Sequence, residues 1–98
     1  MGYYETALSY YRQEKYEKAS KSFKKAIETN VFTYKSLAGL YESMGKLGDK
    51  DKQDEALKLS EKIASSQNRF DIFWKNYGDF YNEATDYPKA IEYYEKAI

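Results

Sequence analysis

Bulky apolar positions recur along this chain at helical spacing. In Tyr3–Tyr10 an aromatic is followed four positions later by a small residue, Ala7, and three further on by Tyr10. The same order returns in Tyr34–Ala38–Tyr41 and in Trp74–Gly78–Tyr81. Steps of four and then three put all of these on one helix face. The small residue lets a second backbone approach closely at that level. A second pattern follows the first and third of these stretches: Tyr16, Ala19, Phe23, Ala26 and Tyr87, Ala90, Tyr94, Ala97. Nine residues separate Tyr10 from Ala19, and nine separate Tyr81 from Ala90. Agreement at that spacing marks an internal repeat. The pattern predicts six helices near 2–14, 16–29, 32–45, 53–66, 70–84 and 86–98.

The second copy is irregular. Tyr41 to Ala56 is fifteen residues rather than nine, which places six extra residues in the stretch Lys46–Gln53. Ser60 and Ile63 stand where the other copies carry an aromatic and Ala, although Ala56, Leu57, Leu59, Ile63 and Ala64 still supply an apolar face. Gly45 and Gly48 are expected to end the third helix. Asp51 or Asp54 is expected to cap the fourth, and Asn68 with Asp71 to open the fifth. Ala19 to Tyr34 is fifteen residues against eighteen from Ala56 to Trp74, so the first inter-repeat turn is tight. Pro88 falls in the first turn of the sixth helix, where proline is tolerated.

An aromatic, a small residue four on, Tyr three further, then Ala, an aromatic and Ala resembles the tetratricopeptide repeat. The resemblance covers nearly the whole chain. It implies an all-α, right-handed α-solenoid of three helix–turn–helix pairs, at about 1–31, 32–69 and 70–98, the last incomplete. It also accounts for nine of the 12 tyrosines, at positions where the family packs large side chains; Tyr4, Tyr11 and Tyr93 are left over. The pattern stops at Ile98 with Tyr87, Ala90, Ile91, Tyr94, Ala97 and Ile98 on overlapping faces of the last helix. Terminal repeats normally need a polar outer face, so an excerpt of a longer repeat protein is expected.

Such a repeat implies a scaffold for protein–protein interaction, with the first helix of each pair lining a concave groove. One residue out of step with the packing stripe runs a second stripe: Tyr4, Leu8 and Tyr11, then Lys35, Gly39 and Glu42, then Lys75, Asp79 and Asn82. Tyr4 and Tyr11 fall here without a packing requirement. The groove is expected to take a partner peptide or helix with an apolar anchor. The alternative is a self-assembling structural module and a homo-oligomer, built through Ile91, Tyr94 and Ile98 of the terminal helix. One subclass of the family clamps acidic chaperone tails with Lys, Asn and Arg. The corresponding positions here are Tyr4, Leu8, Ser36, Ile72 and Asn76, and none keeps its clamp residue.

Composition narrows the chemistry. The 98 residues carry 16 basic and 16 acidic side chains, so formal net charge is zero, and neither nucleic acid nor an anionic membrane is favoured as partner. Charge runs from +2 over residues 1–31, through +1 over 32–70, to −3 over 71–98, a polarity that suits head-to-tail contact. There is no Cys and no His, which removes thiolate nucleophiles, the usual zinc ligands and the usual proton shuttle. Asp49–Asp54 alternates carboxylates as a calcium loop does, but Asp54 stands in the place of the sharp-turn Gly and Ser60 in that of the final Glu. Lys18, Lys21, Lys24 and Lys25 form at most a short basic ridge on a solvated face. No phosphate loop or serine-nucleophile motif is present. Neither enzymatic activity, a cofactor nor a metal is expected. No apolar run reaches the ~20 residues of a membrane span, and no secretory pattern opens the chain. The compartment stays open, with the cytoplasm favoured.

Overall fold

A computed structural model describes residues 2–98 and contains six helices. They are α1 (Tyr3–Arg12), α2 (Tyr16–Glu28), α3 (Thr33–Lys46), α4 (Lys50–Gln67), α5 (Phe70–Glu83) and α6 (Tyr87–Ala97). They form three antiparallel pairs, α1 with α2, α3 with α4 and α5 with α6, stacked as an all-α helical repeat solenoid. Among the described residues no helix is long and apolar enough to cross a membrane.

The turn inside each pair passes through one left-handed residue, at Glu14, Gly48 and Thr85. Such a residue reverses the chain while the last carbonyls of the preceding helix are satisfied. The backbone N–H of Lys15 reaches the Tyr10 carbonyl at 2.9 Å, and that of Asp86 reaches Tyr81 at 2.8 Å. Only the middle turn uses glycine, with φ +79° at Gly48.

The six extra residues of the second copy do not form a loop. They lengthen both helices of the pair: α3 runs to Lys46, five residues past Tyr41, where α1 and α5 stop two past Tyr10 and Tyr81, and α4 begins at Lys50, six residues before Ala56 instead of three, and runs for 18 residues. Its cap is Asp49, not Asp51 or Asp54: the Asp49 carboxylate accepts the backbone N–H of Lys52 at 3.1 Å. Asp51 then sits in the first turn, where an anion favours the helix dipole. Asn68 does not open α5 but closes α4 in the left-handed conformation, with φ 53°. Arg69 holds the N-cap position of α5.

The core is aromatic and alanine-rich. Ala7, Ala19, Ala26, Ala38, Ala56, Ala64 and Ala90 are all buried, as the close-approach role requires. Phe23 on α2 meets Tyr4 of α1 (centroids 6.0 Å) and Phe80 of α5 (5.8 Å). Phe80 also lies edge-on to Tyr11 at 5.4 Å. These contacts join the first pair directly to the third. The coil is therefore tight: the radius of gyration is 12.2 Å, with extents of 32 × 28 × 27 Å. Ordinary globular domains of this length have a radius of about 13 Å.

Candidate functional site

The stripe expected to line the concave face is largely engaged by the protein's own third pair. Tyr4 is only 2% exposed, and its hydroxyl donates to Glu83 Oε1 at 2.8 Å. Burial first, then this hydrogen bond and the charge of Glu83, push the Tyr4 phenol well above its ordinary pKa. Lys35 donates from Nζ to Glu83 Oε2 at 2.9 Å and lies over the rings of Tyr4 (4.7 Å) and Phe32 (4.4 Å). Arg12 donates from Nε to the Glu83 carbonyl at 3.0 Å, and its Nη2 reaches the same oxygen. Glu83 thus gathers side chains from α1 and α3 onto the end of α5.

A second acid does the same for α6. Glu42, buried in α3, accepts the Tyr81 hydroxyl at 3.0 Å and Lys89 Nζ at 2.7 Å, both on Oε1. Partial burial works against the Lys89 charge, but the hydrogen bond and charge of Glu42 outweigh it and raise the ammonium pKa.

Of the eight groove residues, Tyr4, Leu8 and Glu42 are thus core or inter-helix contacts and do not face an open groove. Lys35 is held by Glu83. Tyr11 is half-buried between Phe80 and Tyr16. Lys75, Asp79 and Asn82 lie on α5; Lys75 and Asn82 are exposed, and Asp79 accepts Lys75 at 3.2 Å and the Tyr94 hydroxyl at 2.6 Å. The expectation of an open aromatic groove assumed a wider coil. Gly39, on the same stripe, is where the assumption fails, because it lets the Phe23 ring through toward α5.

The terminal helix is different. Tyr87 is 56%, Ile91 57% and Ile98 fully exposed, with Tyr94 half-buried against Gly78. Tyr87, Ile91 and Tyr94 lie four and three positions apart on one face of α6, and Ile98 follows just past the helix end. Their equivalents in the first pair are Tyr16, Ser20, Phe23 and Ile27, and none of those is exposed, because α3 packs over that face of α2. Beside the strip, Lys96 lies over Trp74 (4.8 Å) and Tyr93 (4.9 Å). The chemistry on offer is apolar contact, cation–π contact and peripheral charge.

The two acids that join the pairs, Glu42 and Glu83, are satisfied within the protein, and Tyr87 and Ile91 of α6 stand exposed. Family models described as tetratricopeptide repeat match residues 1–30 and 73–98, together more than half of the chain. The chain belongs to the tetratricopeptide repeat family. The matches leave 31–72 between them, the copy with irregular spacing. Anaphase-promoting complex subunit 3 of Schizosaccharomyces pombe is 32% identical over 84 residues, covering 86% of this chain and 12% of that protein. The chain therefore spans about an eighth of the length of the relative it matches. Family and relative together indicate a protein-interaction scaffold and point away from a catalyst.

Proposed function

We propose that this scaffold works by helix-on-helix contact through the apolar face of α6, which receives a helix of a partner protein or of a further repeat. The observation that carries the reading is the contrast between equivalent positions: Ser20 is buried and Tyr16 partly buried beneath α3, whereas their counterparts on α6, Ile91 and Tyr87, face solvent. A helix with small residues at its centre and aromatics a turn away, as in Tyr34–Tyr41, is the shape that covers such a strip. The match to a subunit of a multi-protein complex is in keeping with it.

The test is to replace Ile91 with Glu. An exposed position tolerates the change with little loss of stability, and partner capture should fall by an order of magnitude or more. Capture at full strength by the Ile91→Glu protein would remove α6 from the interface.

A second reading is self-assembly through the same strip, favoured by the acidic character of the last third of the chain and the basic character of the first. It predicts a mass in solution that rises with concentration and returns to the monomer with Ile91→Glu.

A further inference from the structure

A trough runs along the outer side of α3, between α2 and α4. It encloses about 300 Å³, with Leu37, Leu40, Met44 and Ala56 beneath Ile27 and Leu59. It continues past Met44 to Leu47, just beyond the end of α3. Glu17 to Glu28 of α2 border it, and at the ordinary helical rise that is roughly 16 Å, or three turns of a docked helix.

The repeat itself indicates what belongs there. Alignment of Tyr34–Tyr41 on Trp74–Tyr81 places Leu37 opposite Tyr77, and alignment of Ala56 on Ala90 places Leu59 opposite Tyr93. In the third pair those two rings sit together, with centroids 5.5 Å apart, and Tyr77 bonds through its hydroxyl to Ser60 of α4 at 2.7 Å. The equivalent junction is thus filled by the chain's own aromatic side chains. At the first junction two leucines stand in their place, the space is open, and Leu59 remains 40% exposed.

The rim adds direction. Lys24 and Lys52 face each other across the trough, and Lys21 stands one turn further along α2. Among the described residues neither Lys21 nor Lys24 has an ion-pair partner, and Lys52 has only Asp49 at 3.9 Å. Glu28 and Glu55 lie toward the other end.

We infer that this trough is a second docking site, for an amphipathic partner helix that seats an aromatic side chain between Ile27 and Leu59 and sets an acidic neighbour on Lys24 and Lys52. It is independent of the α6 face, since no residue is shared.

The probe is N-acetyltryptophan, which carries one ring and one carboxylate, titrated into the labelled protein and followed by methyl and amide NMR shifts. Saturable shifts should centre on Ile27, Leu40, Met44 and Leu59. N-acetyltryptophanamide, without the carboxylate, should bind about two- to five-fold more weakly, the worth of an exposed ion pair. Leu59→Tyr, which copies Tyr93, should abolish the shifts while the melting temperature holds or rises. Shifts spread over the surface, no shift at Leu59 up to the solubility limit, or binding retained by Leu59→Tyr would overturn the proposal. So would movement of the Leu59 methyls on dilution without probe, which would assign the trough to a second copy of the chain. The Ile91→Glu protein should bind the probe unchanged, so failure of the α6 reading and failure of this one are separate results.

Discussion

The ring of Phe23 lies directly against the α-carbon of Gly39: a side-chain carbon built on that glycine would stand 2.3 Å from the ring. Phe23 is fully buried and cannot turn aside. Gly39→Ala therefore combines a gain in helix propensity of about 1 kcal/mol with a clash in a packed core, and overpacking costs about 1–3 kcal/mol or more. The clash is expected to win. Gly45 on the same helix is the control, because the nearest atoms to a side chain there belong to the far end of the flexible Gln53 side chain. Gly39→Ala should lower the melting temperature and Gly45→Ala should hold or raise it, as thermal unfolding of the two variants would show.

Tyr4 is a packing residue and only secondarily a hydrogen-bond donor. Tyr4→Ala should cost about 3–5 kcal/mol, the usual loss for a buried aromatic. Tyr4→Phe removes only the bond to Glu83, which keeps Lys35, and should cost about 1 kcal/mol. Urea denaturation of both variants would separate the two terms.

Two tyrosines with buried hydroxyls should respond oppositely to loss of that group. The Tyr34 hydroxyl is buried with no hydrogen-bond partner among the described residues, whereas that of Tyr77 bonds to Ser60. Tyr34→Phe should be neutral or stabilising, and Tyr77→Phe should cost about 1–2 kcal/mol. Equal losses in a denaturation comparison would contradict the assignment of both hydroxyls.

Alkaline pH should unfold the protein cooperatively. Burial, the leading cause, raises the phenol pKa of Tyr4, Tyr11, Tyr77 and Tyr81, and pushes Tyr93 and Tyr94 up to about 12. A folded-state pKa above the unfolded value contributes stability that is complete below about pH 10 and is lost as pH rises through the folded value. Phenolate absorbance and loss of helical dichroism should thus rise together above about pH 10 for these residues. Full phenolate formation with helicity intact would show that the rings are not held as described.

Much of this architecture was legible from Ala and aromatic spacing. All six helices lie within about three residues of the spans that periodicity predicts. The misplaced details were local: Asp49 competes as cap with Asp51 and Asp54, and only the left-handed turn at Gly48 decides between them. The groove was harder to read. Which stripe faces a groove depends on coil tightness, which a one-dimensional pattern does not contain. The sequence signal was Gly39 beside Ala38, two small residues where the other copies have one. The exposed strip of α6 was visible as Ile91, Tyr94 and Ile98; Tyr87 belonged with them by its spacing. The trough was hidden, because Leu37 and Leu59 read as ordinary core residues until set against Tyr77 and Tyr93.

The face of α6 should accept a helix as the face of α2 accepts α3. The most direct measurement joins a copy of the segment 29–46 after Ile98 and follows the Ile91 and Ile98 methyl resonances and the melting temperature. Both methyls should shift to buried environments, and melting should rise by several degrees. Solvent-exposed methyls and an unchanged melting temperature would contradict it.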